Sequence, residues 1–477
     1  MALKITLLLI LIGQVFGFVH GSKYEKDARL QASLSQILMQ PKPFQLIESN
    51  DSVVTLFTIH GSNTIGASLG PKLAMSYLAA KGAVNVRNQP TLIENEKIIK
   101  GDLFAQGKTI QIKIEAHGSS TGFKGLENSD AEIWASSRPV KDKEVSKLIK
   151  QYDLRSHKSE HILGIDGLAI VVNISNPIKS LSKLQLGQVF SGEVINWSQL
   201  GGLDQPINLY ARDQNSGTWD SFKNMVLSKT LKLSDSAQRF ESSSALANRV
   251  TADVGGIGFI GMAFVGGNKL LAISDGPAQA FKPSEMTVAT EDYALSRRLF
   301  FYTKSVTNNQ YVNEFMNYAQ GVHGQNIVKT EGVVSQNVIS TGMELDKSLP
   351  KDYLELVKGA KRLSINFRFK EGSAMLDNKS KIDILRLVYF LKEQGEGSDL
   401  SDDIEQPKVM LIGFGDKRKN AQRSKLLSKL RAMAVRRELG RLGIHPKVTT
   451  GYGDFNPVAG FLGKSGLKNR RVEVWVR

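Results

Sequence analysis

The sequence predicts an α/β protein of more than one domain. Three observations carry that class. A unit made of an apolar strand, a hydroxyl-rich glycine turn and a helix start occurs three times, beginning at Val53, Ile110 and Leu209. From Leu363 onward a shorter strand and helix pattern follows, with a different and more basic composition. The chain has 477 residues and is 41% hydrophobic, which is globular in composition and too long for one ordinary core.

Taken in order, Met1 to Gly21 reads as a secretory signal peptide, with Lys4 before an apolar run from Ile5 to Ile12 and small residues at Gly17 and Gly21. The run is short for a membrane span, and an uncleaved anchor is the alternative. Export of a chain with no cysteine suits a bacterial periplasm better than a disulfide-rich setting. Residues 22–50 form a polar N-terminal extension with a modest helical pattern.

Val53 to Ile59 reads as a strand, His60 to Thr64 as a turn, and Ile65, Leu69 and Leu73 as a helix face. Ile110 to Ile114 reads as the next strand, followed by His117-Gly118-Ser119-Ser120-Thr121-Gly122 and a helix start at Phe123 and Leu126. Ala131 to Trp134 then runs into Ser136-Ser137-Arg138-Pro139. Gly164 to Asn173 is a buried strand, and Leu181 to Phe190 is helical. Leu209 and Tyr210 end a strand before Arg212-Asp213-Gln214-Asn215-Ser216-Gly217-Thr218, after which Trp219, Phe222 and Val226 keep helical spacing.

The last of these turns has the chemistry of an anion cradle. The first turn of a helix presents unpaired N–H groups and a partial positive charge. Ser216 and Thr218 add hydroxyl donors, Gly217 lets backbone approach an oxyanion, and Arg212 supplies a planar fork for two oxygens at once. Each residue also has a plain explanation as turn and capping chemistry. What favours a site is the repetition of one pattern at the carboxyl ends of strands, where open α/β sheets bind ligands.

Those motifs, together with Asp166-Gly167-Leu168-Ala169, Phe190-Ser191-Gly192 and Asn196-Trp197, make residues 51–340 resemble a periplasmic phosphate-binding protein of the phosphate-import ABC system. The resemblance implies a type II-like periplasmic-binding-protein fold, with two lobes joined by crossing strands that close on one dehydrated oxyanion. Carried over by position, Thr64, the Ile65 N–H, Ser119 or Ser120, Arg212, Ser216, Gly217 and Thr218 would hold inorganic phosphate, with Ser137 and Arg138 beside them. Some members of the family have Asp where this chain has Ser137. A carboxylate accepts the proton of hydrogen phosphate and repels sulfate, so the exchange bears on selectivity.

Residues 341–362 are expected to be a linker, broken at Leu349-Pro350. In residues 363–477, strands are expected at Leu363 to Phe369, Val409 to Ile412, Val448 to Thr450 and Val472 to Val476. Helices are expected at Ile382 to Leu391 and at Asn420 to Leu442, the second burying Leu427, Leu430, Ala434, Val435 and Leu439. From Lys408 onward the acids are Asp416, Glu438, Asp454 and Glu473 alone. Asp416 is either a solvated turn residue or the fixed negative charge of a pocket for a zwitterion, whose carboxylate would seek Arg431 or Arg470.

Gly413-Phe414-Gly415-Asp416, the run from Leu427 to Val435, Gly451-Tyr452-Gly453 and Asn469-Arg470-Arg471 make this part resemble an OmpA-like peptidoglycan-binding domain, a smaller α+β unit. The resemblance implies that Asp416 and Arg431 hold the amine and carboxylate of diaminopimelate in the wall stem peptide. Gly415 stands where the family usually has Thr, and Ser424 where it often has Asn.

The combined expectation is an exported binding protein that captures phosphate or a similar oxyanion, is held at the cell wall, and serves an ABC phosphate importer or a sensing role. The alternative is a wall-associated scaffold whose first domain has lost or changed its ligand. The net charge of +16 favours anionic partners, but zinc-finger spacing, RNP-type aromatics and long basic blocks are absent, so nucleic acid is not expected. The seven His have no metal-ligand spacing, and neither a metal nor a cofactor is expected. An enzyme with Ser119 or Ser120 as nucleophile is not expected either, since neighbouring His117 would point to the opposite face and no orienting third group follows.

Overall fold

The computed structural model describes residues 31–477 apart from 32, 33, 36, 39, 40, 46, 215, 228–230, 306, 344, 348, 371, 372, 374, 397–407, 418, 419 and 462–465. The expected signal peptide, residues 1–21, lies outside the described residues.

The first large body is built on ten strands that share one path. In chain order they are β1 (Val53–Gly61), β2 (Val84–Pro90), β3 (Glu96–Leu103), β4 (Lys108–Glu115), β5 (Ile133–Ser136), β6 (Glu160–Val172), then, after β7 (Ser180–Ser182), β8 (Asn208–Arg212), β9 (Gln238–Phe240) and β10 (Gly256–Gly261), and, after β11 (Lys269–Leu270) and β12 (Ala272–Ser274), β13 (Ser296–Thr303). Their spatial order is β2-β3-β4-β1-β5-β13-β6-β10-β8-β9, with β11 also on β6 and β7 paired with β12.

β6 explains how one path makes two lobes. Its residues Glu160 to Gly167 pair with β13, and Leu168 to Val172 pair with β10. From Ile162 on, the whole strand is buried, in keeping with a sequence that is apolar on both faces except at Asp166, which is paired with Arg297. β6 therefore leaves the first lobe and enters the second, and β13 returns from the second to lie between β5 and β6. The chain crosses between lobes at Asp166 to Leu168 and again at Tyr293 to Arg297.

The helices that matter to the site sit at strand ends. They are α1 (Asn63–Gly66) and α2 (Leu69–Ala80) after β1, α3 (Ser119–Asn128) after β4, α4 (Asp142–Leu148) after β5, and, in the second lobe, α5 (Lys183–Ser191), α6 (Gly217–Met225) after β8 and α7 (Ser243–Thr251) after β9. α8 (Glu285–Ala289) precedes β13, and α9 (Gln310–Gln320) and α10 (Val322–Thr330) follow it. The three strand, turn and helix units of the sequence are β1/α1, β4/α3 and β8/α6.

A second sheet has the order β14-β15-β18-β16-β17, from β14 (Ser340–Thr341), β15 (Lys361–Arg368), β16 (Val409–Gly413), β17 (Val448–Gly451) and β18 (Arg471–Val476). α12 (Asn378–Glu396) and α13 (Ala421–Arg441) pack on it, and α11 (Lys351–Val357) starts directly after Pro350. The stretch expected as a linker adds to this unit: β14 pairs with β15, and Tyr353 and Val357 bury against Phe414 and Trp475. Parts of the N-terminal extension are anchored as well. Leu34 and Ile37 join the core of the second unit, and Phe44 and Ile47 that of the first lobe.

The face expected for α13 holds at Val435 and Leu439, which are buried, and departs from the observed one in the first half of the helix. Its buried residues are Ser424, Ser428, Ala432, Val435 and Leu439, whereas Leu430 is 46% exposed. The reason is a close helix–sheet approach. A Cβ on Gly413 would stand 2.0 Å from the Ser428 carbonyl oxygen, and one on Gly451 would stand 2.4 Å from Ser428 Oγ. Small residues on both partners make the contact there, so a search for leucines misses Ser424, Ser428 and Ala432.

The two units meet through buried charge. Asp292 binds Arg362 Nη2 at 2.7 Å, and Asn366 Nδ2 donates to Asp292 Oδ1 at 2.9 Å. Glu291 accepts from Arg298 at 2.6 Å and faces Arg368 at 3.2 Å. Arg298 also reaches Asp377 at 2.8 Å, and Lys468 Nζ donates to Ser296 Oγ at 3.1 Å. Arg386 on α12 donates to the Gln320 carbonyl at 3.0 Å and to Gln336 Oε1 at 3.0 Å. The second unit thus touches both the crossing segment and the first lobe.

Burial alone would raise the Glu291 carboxyl, but Arg298, Arg368 and Lys379 overcome it and bring it down to about 2. Its folded pKa lies below the unfolded value, so its contribution is complete above the ordinary glutamate range and is lost as pH falls toward 2. Glu291→Gln should therefore be less stable than wild type at neutral pH, with the gap shrinking as pH falls from about 5 toward 2. Thermal unfolding across that range measures it, and a pH-independent gap would rule out this assignment of charge.

Candidate functional sites

The carboxyl ends of β1, β5 and β8 bring three turns together. A Cβ on Gly217, at the start of α6, would stand 2.4 Å from Thr64 Oγ1 and 3.2 Å from Ser137 Oγ. Thr64 and Ser137 belong to the first lobe and Gly217 to the second, so the lobes are closed on each other here. The fourth element is Ser119: Ser137 N donates to its Oγ at 3.1 Å, and the two hydroxyl oxygens are 3.3 Å apart. Ser119 and Ser137 are both buried.

Ser216 caps α6, its Oγ accepting from Thr218 N at 3.2 Å and Trp219 N at 3.4 Å. A hydroxyl that accepts still has its own proton to donate. Ser216 and Thr218 are buried, and Asn215 lies outside the described residues. On the other lobe the Ile65 N–H donates to Ser62 O at 3.1 Å, within its own turn. Ser62 Oγ, one turn earlier, is buried and has no hydrogen-bond partner among the described residues.

The cations divide into an inner and an outer group. Arg138 is held by both oxygens of Glu144, at 2.7 and 2.9 Å, and reaches exposed Ser120 Oγ at 3.4 Å. These two predicted residues lie together at the rim. Arg212, at the end of β8, donates to the carbonyls of Phe240 at 3.2 Å and Glu241 at 2.6 Å, and to Ser243 Oγ. Burial lowers its pKa; Asp213 opposes the shift and Arg297 adds to it.

Arg297 is the site residue that motif reading misses. It stands opposite Asp166 in the β13/β6 register, with Nε and Nη2 on Asp166 Oδ2 at 2.9 and 2.6 Å. Its Nη1 donates to the Gly217 carbonyl and to Ser221 Oγ, on the first turns of α6. Two guanidinium groups that repel each other are thus held at the anion turn, an arrangement that a bound anion would relieve. The signal was present as two consecutive arginines in the otherwise apolar run from Leu295 to Tyr302.

His117 is turned away from this cluster. Its Nε2 meets Glu96 Oε1 at 3.0 Å on the exposed side of the sheet, so it is not a base for Ser119. Among the described residues no group of His, Asp and Glu could hold a metal ion, and no helix is long and apolar enough to cross a membrane.

A second constellation lies where β16 ends. Asp416 pairs with Arg470 Nε, while its Oδ1 is buried without a hydrogen-bond partner among the described residues. Arg431, on α13, donates to Phe414 O at 3.5 Å and stands 5.7 Å from the Phe369 ring centre. A Cβ on Gly415 would be 3.2 Å from Arg431 Nη1, so the third predicted residue borders the same turn. Ser424 Oγ donates to the Asp416 carbonyl at 2.9 Å and fixes the turn from below.

Comparison with known proteins agrees with this division. Residues 96–321 match the PBP superfamily domain, and residues 368–470 match the OmpA family. The phosphate-binding protein PstS of Staphylococcus epidermidis is 30% identical over 305 residues, which is 62% of this chain and 89% of that protein. The chain belongs to the PstS family. The PstS of Borreliella burgdorferi is 25% identical over 228 residues, covering 46% of this chain and 78% of that protein. The ABC-type phosphate transport receptor of Vibrio cholerae, a crystal structure, aligns at 24% identity over 58% of this chain and 98% of its own, with a TM-score of 0.46. This PstS-family chain therefore has the two-lobed periplasmic-binding-protein fold, followed by a C-terminal OmpA domain with its own small sheet.

Closure in this PstS-family chain depends on the bare Gly217. Gly217→Ala should hold the lobes apart, since an added methyl in a packed contact costs about 1–3 kcal/mol. Small-angle scattering should then give a larger radius of gyration than wild type. An unchanged radius would mean that the contact at Gly217 does not limit closure.

Proposed function

We propose that the first domain captures inorganic phosphate between its lobes and that the OmpA domain holds the protein at peptidoglycan. The observation that carries the first half is the meeting of Thr64, Ser119 and Ser137 on one lobe with the capped first turn of α6 on the other, in a member of the PstS family. Hydroxyls and helix N–H groups suit an oxyanion because they donate without bringing full charges that would have to be paired when the site is vacant. In this reading Thr64, Ile65, Ser119, Ser137, Ser216, Gly217 and Thr218 line the anion, Arg212 and Arg297 supply positive field from behind it, and Ser120 and Arg138 form the rim.

The second half rests on Asp416, whose unsatisfied buried oxygen is available to an ammonium group, with Arg470 and Arg431 beside it for a carboxylate. Diaminopimelate of the wall stem peptide has both groups. The protein would be exported by its N-terminal segment and work in the periplasm, handing phosphate to an ABC importer or reporting its level. Serine hydroxyls that bond one another and a histidine turned outward offer no activated nucleophile, which supports a binding role over catalysis.

One observation favours a scaffold that has changed its ligand: the Arg212 and Arg138 guanidiniums are engaged by protein oxygens. Calorimetry on the full chain, with co-purified anion removed, separates the readings. Phosphate should bind, and Thr64→Ala should weaken it about 10- to 150-fold, the loss of one hydrogen bond to a charged group at roughly 1.5–3 kcal/mol. A preference for sulfate would locate the consequence of Ser137, and no heat with either anion would leave the scaffold.

For the wall, purified sacculi should retain the wild-type chain. The Asp416→Ala, Arg470→Ala double variant should be lost from the pellet. Equal retention would remove Asp416 from the contact.

A further inference from the structure

We propose that Arg297 is a positioning residue of the anion turn, and that it passes to that turn the hold which the OmpA domain has on the next residue, Arg298. This rests on the phosphate reading above and adds a dependence of that site on the second domain.

Arg297 and Arg298 are neighbours on β13, so their side chains leave opposite faces of the strand. Arg297 faces the cleft. It bonds Asp166 on the other crossing strand and, through Nη1, the Gly217 carbonyl and Ser221 Oγ. Those two acceptors belong to the turn whose N–H groups and bare glycine form the anion cradle, and Ser221 Oγ itself bonds the Gly217 carbonyl at 2.9 Å. Arg297 therefore ties the start of α6 to both lobe crossings, and it touches the predicted anion ligand Gly217 at its carbonyl oxygen, leaving the Gly217 N–H free of it.

Arg298 faces the OmpA domain. Its Nε bonds Glu291 at 2.6 Å and its Nη1 bonds Asp377 at 2.8 Å. Asp377 begins α12: its Oδ1 accepts from Ser380 N at 2.8 Å, and its own N–H donates to Arg368 O at 3.0 Å. Glu291 is held from the same side by Arg368 and has φ 59, a left-handed conformation that a glutamate adopts only under such restraint. Just upstream, Lys468 donates to Ser296 Oγ.

Three consecutive residues, Ser296 to Arg298, are thus fastened alternately to the tether domain, to the anion turn and to the tether domain again. They lie on the segment about which the lobes must move relative to each other. A shift of β13 that suits one set of partners is transmitted to the other, because the Arg297–Asp166 pair is buried and the half-buried Arg298 is held by two carboxylates at once, so neither arginine exchanges its partners for water without a desolvation penalty.

The test uses the full chain and Asp377→Asn, which keeps a good helix cap while removing the charge that holds Arg298. Hydrogen–deuterium exchange without added anion reads the turn directly. The variant should exchange faster than wild type over Gly217 to Phe222, with Asn63 to Gly66 unchanged. Calorimetry should show phosphate affinity about tenfold weaker. Arg297→Gln should lose more affinity than Arg297→Lys, which keeps the charge. Adding Asp377→Asn to Arg297→Gln should weaken binding no further, the non-additivity expected of one connected path.

Unchanged exchange over Gly217 to Phe222 in Asp377→Asn overturns the proposal, as do additive losses in the double variant. If Asp377→Asn fails to fold, Arg298→Lys applies the same test. A wild-type chain that binds no phosphate would remove the phosphate reading, and the exchange measurement would still decide this one.

Discussion

Buried charge at the junction of the two units constrains the whole molecule. Glu291 and Asp292 sit on the segment by which the chain returns from the second lobe, and Arg362 and Arg368 sit on the first long strand of the OmpA sheet. None of these groups can be left alone in a low-dielectric interface, because an uncompensated buried charge costs several kcal/mol. Ion pairs of this kind add little net stability over apolar packing, and what they contribute is a unique arrangement. The requirement that every charge be met places the OmpA domain behind the lobe crossing and nowhere else.

That placement gives the proposed anion site two kinds of support. From the front, closure brings Thr64 and Ser137 of one lobe onto Gly217 of the other. From behind, Arg297 holds the first turn of α6 against the crossing strands. In the proposed site weak neutral donors would make the contacts and the guanidiniums would supply the field, which suits a ligand that must be released as well as captured. Ser137 sharpens the question of selectivity: a hydroxyl both donates and accepts, so the site can meet a protonated or an unprotonated oxygen at that position.

Much of this was legible in the sequence because it is local chemistry. Ser62 to Ile65, Ser119 to Gly122 and Arg212 to Thr218 each follow an apolar strand and open a helix, and they occupy those places in the structure. The charged residues of the OmpA turn were legible for the same reason, since Asp416 stands out in a basic stretch. Hydrophobic periodicity finds Val435 and Leu439 on the buried face of α13 but not the first half of that face, because it assumes that larger apolar side chains point inward. Here Gly413 and Gly451 admit the helix so closely that Ser424, Ser428 and Ala432 fill the contact and Leu430 is left outside. Arg297 was passed over because it belongs to no turn, and only the pairing of β13 with β6 sets it opposite Asp166.

The sequence by itself determined the class of fold and the turns that carry the donors, since strand and helix periodicity, capping and glycine placement are decided within a few residues, and the order of its motifs carried the resemblance to the family. Tertiary structure alone decided which cations stand behind the anion turn, which partner each buried arginine takes, and that the two units share the crossing segment. The physical reason is range. Hydrogen bonds of turns and caps link neighbours along the chain, whereas Arg297 to Asp166, Arg298 to Asp377 and Arg362 to Asp292 join residues far apart in sequence, and they exist only once both sheets have formed.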